Sequence, residues 1–246
     1  IEILTNTRVE RVSSDGGRVA LAVEMPRAGR ILRAERLLLA TGRMPNTDDL
    51  DLETAGVTFD RDGYVAVDAE LRTNQPHIWA AGDIIGRQHG SQMATPVGAR
   101  QGRIVAENAL ADAGRRFDGS VIPRAIFVDP PIGVVGLTEA QVKARHLPAV
   151  TATTPLRYVP RAGAIHRTEG FVKMIASTID ERILGVHLIG EAAAEIIHEA
   201  AMAMHFRATI NDFIDLIHVY PTMSEALKIG AQAFSKDVSK LSCCAE

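Results

Sequence analysis

Hydrophobic and polar positions change their rhythm twice along this chain. Over residues 1–43 they alternate: "TRVERV", "RVALAVEM" and "RILRAERLLLATGR" set apolar against polar neighbours before closing on a short apolar run, the pattern of strands. Asp15-Gly16-Gly17 and Arg27-Ala28-Gly29 punctuate the runs, so a small antiparallel meander is predicted. A tight turn follows at 43–46, where Pro45 biases Met44 away from helix. Beyond it the pattern predicts a short strand at 64–67 and a buried strand at 77–81 that stops at Gly82-Asp83. "ATPVGARQGRIVAENALA" then carries small and apolar residues at helical spacing. Thr95-Pro96 is its predicted start, with Pro at the first helical position, where a missing N–H is not needed. A second boundary falls in "DAGRRFDGSVIP". From Val121 onward, "RAIFVDPPIGVVG" and "GFVKMIASTIDERILGVHLIG" read as strands, followed by helices through "EAAAEIIHEAAMAMHF" and "MSEALKIGAQAFSK". Thr222 and Glu225 have the spacing of a capping box for the last helix.

Composition narrows the class. A chain of 246 residues, 46% hydrophobic and 23% charged, suffices for one large or two ordinary globular domains. The net charge of −3, with no block of basic residues, argues against a nucleic-acid surface. No apolar run approaches the roughly 18 residues of a membrane span, and the first residues lack the layout of a signal peptide. The 2 cysteines are adjacent, which is no disulfide framework and points to a reducing cytoplasm. The chain opens "IEILTNTRVERV" without an initiator Met, already inside a strand pattern, and reads as a piece of something longer.

Candidate chemistry sits at a few places. A buried strand ending in Gly82-Asp83 puts a carboxylate at the carboxyl edge of a sheet, where open α/β sheets bind ligands, and the glycine permits close backbone approach. Asp83 suits the hydroxyls of a sugar-like group; the plainer role is to cap the next turn. At the tail, "KLSCCAE" carries Cys243 and Cys244. Their Cα atoms are fixed about 3.8 Å apart, short of the ~4.4–6.8 Å of ordinary disulfides, so a structural crosslink between them is disfavoured. A thiol pair at a terminus suits a soft metal or another disulfide, the alternative being that it has no role. Lys236 and Lys240 suit a solvated helix end, and His187, His198 and His205 fit packing or an interface, since none belongs to an HExxH pattern.

"ATGRMPNT" at 40–47, "IWAAGD" at 78–83 and "HVYPTMSEALK" at 218–228, in that order, resemble the flavin-dependent pyridine nucleotide disulfide oxidoreductases, the family of glutathione reductase and lipoamide dehydrogenase. The resemblance implies a mixed α/β and α+β chain. Residues 1–43 would end an NAD(P)H-binding domain, 44–118 would form the C-terminal part of a Rossmann-like FAD domain, and 119–246 would be an interface domain of antiparallel sheet and helices that forms a homodimer. It implies that Asp83, beside Gly82, contacts the ribityl chain of FAD. It also implies that the backbone around Thr95, in "MATPV", aims a helix N-terminus at the isoalloxazine. In the disulfide reductases of the family the residue before Pro-Thr is a His that serves thiol chemistry. Here it is Tyr220, whose phenol, with an ordinary pKa near 10, is a poorer proton shuttle at neutral pH than imidazole.

Tyr220 together with Cys243-Cys244 resembles the members of the family that reduce Hg(II) with NADPH through FAD. In them the tail thiols collect the metal from cellular thiol complexes and the tyrosine lines the delivery site, its hydroxyl in reach of the metal. That resemblance makes Tyr220, Cys243 and Cys244 the expected catalytic and metal-binding residues. Two alternatives stand beside it. One is a lipoamide dehydrogenase-like disulfide reductase with His218 as base; the other is a metal-sequestering dimerisation module that never meets FAD. No GxGxxG and no upstream cysteine pair is present, so this chain alone is not expected to complete the reaction.

Overall fold

A computed structural model describes residues 1–241 and divides the chain into two compact units, Ile1–Arg115 and Arg116–Glu246. The mixed α/β and α+β character expected from the resemblance is present: helices accompany antiparallel sheets.

The first unit opens with the predicted meander. Strands β1 (Arg8–Asp15), β2 (Arg18–Glu24) and β3 (Arg30–Ala34) pair antiparallel in the order β1-β2-β3. The sheet ends there. The apolar run predicted to continue it carries no strand, and Leu38 and Leu39 are exposed, because no neighbouring strand among the described residues offers it a ladder. For the same reason the strands predicted at 64–67 and 77–81 shrink to single bridges, Phe59 with Val65 and Arg72 with Trp79. Hairpin hydrogen bonds such as Ala80 N to Leu71 O hold this region instead, and Leu71, Val65 and Ile85 are buried beneath it. Helix α1 (Thr95–Ala111) begins one residue earlier than predicted. Ala94 is the N-cap, without a side-chain cap bond, and Thr95 is already helical because the amides of Val97 and Gly98 both donate to the Ala94 carbonyl.

The second unit is built on a five-stranded antiparallel sheet of order β4-β5-β8-β7-β6. Its strands are β4 (Arg124–Ile126), β5 (Ile132–Gly136), β6 (Ala149–Pro155), β7 (Phe171–Ser177) and β8 (Ile183–Ile189). Between them lie the short helices α2 (Glu139–Ala144) and α3 (Pro160–Ala164); α4 (Ala193–His205), α5 (Ile210–Asp215) and α6 (Glu225–Gln232) follow. Helix α4 buries Ala193, Ile196, Ile197, Ala200 and Ala201, an i, i+3, i+4, i+7, i+8 stripe, against β5 and β8. Gly133 on β5 makes this approach feasible: a Cβ there would lie 2.3 Å from the Ala193 carbonyl oxygen. Helix α6 covers β6 and β7, and Val172, Met174, Val186, Leu188 and Leu227 fill the layer between sheet and helices. Each such side chain, fully buried, contributes about 1.5–3 kcal/mol.

The predicted capping box of α6 is half formed. Glu225 Oε2 accepts from the Thr222 amide at 2.9 Å, as a box requires, but Ser224 is the N-cap and the Thr222 hydroxyl donates to the Val219 carbonyl at 2.7 Å. The hydroxyl closes the Tyr220-Pro221 turn, whose peptide bond is cis, instead of the helix.

Candidate functional site

Three segments of the first unit converge on Asp83. Ala81 is extended and Gly82, at φ +83, bends the chain into a 3-10 turn, Gly82–Ile85, that presents the Asp83 carboxylate. Asp83 Oδ2 accepts from Arg43 Nη1 at 2.9 Å, and the same nitrogen reaches the Met93 carbonyl at 3.2 Å, two residues before α1. The Tyr64 hydroxyl donates in turn to the Arg43 carbonyl at 3.1 Å. The guanidinium therefore ties the segment at 43–46, the Gly82-Asp83 turn and the approach to α1 into one cluster. Helix and turn pack closely, since a Cβ on Gly98 would lie 3.4 Å from the Gly82 Cα. The Gly82 amide donates to Gln101 Oε1 at 2.9 Å from a fully buried glutamine one turn further along the helix. Gly82, Asp83 and the start of α1 at Thr95 are thus brought together.

These residues suit part of FAD. The Asp83 side chain is 46% exposed, which leaves it open to hydroxyl donors, and Gly82 lets a ligand approach the backbone. The N-terminus of the 17-residue α1 supplies about half a positive charge, although Pro96 has no N–H and the amides of Val97 and Gly98 are taken by the Ala94 carbonyl. That set fits a ribityl chain and the electron-rich edge of an isoalloxazine. The sequence holds no GxGxxG to receive a pyrophosphate.

In the second unit, Tyr220 is carried by a turn pinned at several points. Thr222 closes it onto Val219 and Glu225, as described above. On its other side His218 places Nε2 2.8 Å from Glu199 Oε1 on α4 and Nδ1 3.1 Å from the Leu216 carbonyl. Both partners are oxygen acceptors, an arrangement that favours the protonated ring, in which both nitrogens donate. The hydrogen bond to Glu199 raises the His218 pKa above its ordinary value, against a smaller opposing effect of burial. With its side chain only 5% exposed and both ring nitrogens engaged by Glu199 and Leu216, this histidine is poorly placed to take a substrate proton. Tyr220 is half exposed at 51%, beside the more exposed Ile217 and Val219. Beside the turn a cleft of about 690 Å³ is lined by Arg161, Glu191, Glu195, Glu199 and Met223, among others.

Cys243 and Cys244 lie outside the described residues. Among the described residues no three of His, Cys, Asp and Glu cluster as metal ligands, and the three histidines singled out in the sequence have local partners. His187 Nε2 bonds the Leu137 carbonyl, His198 Nδ1 the Glu195 carbonyl, and His205 stacks edge-on against Phe206. Arg43, Gln101 and Glu199 escaped the sequence reading. Each acts on a residue 19 to 40 positions away, a distance over which local patterning carries no signal.

Residues 1–102 match the family model described as pyridine nucleotide-disulphide oxidoreductase, and residues 122–231 match the dimerisation domain of the same family. A mercuric reductase of Staphylococcus aureus is 38% identical over the whole chain, which covers 44% of that protein. One of Streptomyces lividans is 40% identical, again over the whole chain and 51% of the relative. Among solved structures, the Cu(II) complex of the HOCl-induced flavoprotein disulfide reductase RclA of Escherichia coli is 30% identical with a TM-score of 0.79, over 93% of this chain and 50% of that one. LpdA of Mycobacterium tuberculosis is 29% identical with a TM-score of 0.81, over 94% and 49%. The chain spans about half the length of the relatives it matches. With both of its units matched in order by models of one family, and flavoprotein structures following its course, the chain belongs to the pyridine nucleotide-disulphide oxidoreductase family.

Proposed function

We propose that this chain is the C-terminal part of a mercuric reductase, a homodimeric flavoenzyme of the cytoplasm that reduces Hg(II) to Hg(0) with NADPH through FAD. The observation that carries the proposal is the alignment of the whole chain with mercuric reductases at 38% and 40% identity. Tyr220 supports it, standing where the disulfide reductases of the family place a catalytic His.

Within this reading the domain division is 1–43, 44–118 and 119–246. FAD, when bound, supplies the two-electron relay between NADPH and the metal. Asp83 holds the ribityl hydroxyls, Gly82 admits the cofactor to the backbone, and the helix beginning at Thr95 places its positive end where negative charge develops on reduction. Cys243 and Cys244 take Hg(II) from its thiol complexes, because two thiolates satisfy a soft metal that has little use for oxygen ligands. Tyr220 lines the path of delivery, and its hydroxyl contacts the metal or the ligands it sheds. The exposed apolar residues Leu216, Ile217 and Val219 suit a homodimer contact that would carry Tyr220 of one subunit to the flavin of the other.

The alternative of a disulfide reductase with His218 as base is disfavoured by the two hydrogen bonds that occupy that ring. The test is stopped-flow kinetics of the flavoenzyme carrying Tyr220→Phe. Hg(II)-dependent NADPH oxidation should fall while flavin reduction by NADPH stays at the wild-type rate. Equal loss of both would assign Tyr220 to the fold and not to the metal.

A further inference from the structure

Gln101 is the most enclosed polar side chain of the first unit, and nothing in its sequence neighbourhood marks it. It is 0% exposed, its Oε1 accepts from the Gly82 amide at 2.9 Å, and its Nε2 has no hydrogen-bond partner among the described residues. The donor at Gly82 fixes which end of the amide faces it, since only the oxygen can accept. The unpaired Nε2 carries a desolvation penalty that an apolar side chain of the same shape would avoid. The Oε1 bond, however, fixes a backbone position. What it holds is the amide between Ala81 and Gly82, at the point where the backbone turns through φ +83 to present Asp83.

The surrounding geometry shows why that point needs a tether. Helix α1 meets the turn through Gly98, whose missing Cβ brings the two backbones together but supplies no directional contact. Arg43 reaches the Asp83 carboxylate from outside, through an exposed guanidinium. Gln101 supplies the buried, directional bond between helix and turn. It therefore fixes the carboxylate relative to the helix N-terminus, and the same rigid α1 carries both Gln101 and Thr95.

We propose that Gln101 is a positioning residue for the flavin: it touches no cofactor atom and sets the distance from Asp83 to the N-terminus of α1. The inference rests on the FAD-binding part of the function proposed above and is independent of mercury. Gln101→Met keeps the length and shape of the side chain and removes the acceptor; Gln101→Glu, protonated in so buried a site, keeps a carbonyl oxygen toward Gly82. FAD is titrated into the apoprotein of the full flavoenzyme and followed by flavin fluorescence, and the thermal midpoint of each apoprotein is measured. The methionine variant should bind FAD about tenfold more weakly, the factor that ~1.4 kcal/mol of lost complementarity produces. Its apoprotein should melt within about 3 °C of wild type, since one unmet buried donor has only been exchanged for another. The glutamate variant should bind FAD within about threefold of wild type. Unchanged FAD affinity in Gln101→Met, loss of affinity in step with loss of melting temperature, or a glutamate variant no better than methionine would each overturn the proposal. A wild-type protein that takes up no FAD would instead refute the flavin reading on which it rests.

Discussion

The side chain of Tyr220 leaves a turn whose flanks are fixed by Glu199, Thr222 and Glu225, so its chemistry depends on residues that never meet a substrate. If the hydroxyl contacts the metal or its departing ligands, Tyr220→Phe should slow mercury turnover by about tenfold, ~1.4 kcal/mol in the barrier. His218 makes a separate prediction. Its folded pKa lies above the unfolded value near 6.5, so the His218–Glu199 pair contributes its full stability below about pH 6.5 and loses it as pH rises through the raised folded value. Glu199→Gln should therefore lower the stability of the second unit by about 1–3 kcal/mol at pH 6 and by much less at pH 9, measured by urea unfolding at the two pH values. An equal loss at both would show that the pair does not depend on the imidazolium. Tyr220 and Asp83 stood out in the sequence because their neighbours form motifs. Arg43 and Gln101 did not, because what makes them important is a partner brought near only by folding.

At the scale of elements, the helices legible in the sequence are those long enough to repeat their period. Helices α1 and α4 bury residues at helical spacing over several turns, whereas α2, α3 and α5 run 5 or 6 residues and show too little of a period to be read. Strands β7 and β8 were legible in the sequence and lie paired within the sheet. The stretches at 64–67 and 77–81 have the composition of strands but only single bridges, since a strand is completed by its neighbour and not by its own residues. The close approach of helix to sheet at Gly133, beneath α4, offers a direct test of the packing. Gly133→Ala would force a methyl onto the Ala193 carbonyl, and denaturant unfolding should show a loss of about 1–3 kcal/mol. A neutral substitution would mean that α4 sits further from β5 than described.

At the scale of the whole molecule, the proposed enzyme needs two subunits, a flavin and a soft-metal ligand pair. Ile217 and Val219 stand 90% and 77% exposed beside Tyr220, and an apolar surface of this kind suits a second copy of the chain. Replacing both by Asp should move the protein from dimer to monomer in sedimentation, while a dimer that survives would place the contact elsewhere. The mercury chemistry itself is tested most directly by titrating Hg(II) into this chain and into its Cys243→Ser/Cys244→Ser variant with glutathione present, following thiolate-to-metal absorbance. The proposed function predicts tight uptake of about one Hg(II) per chain by the wild type, since two thiolates satisfy this soft metal, and none by the double variant. Superimposable curves for the two proteins would contradict it.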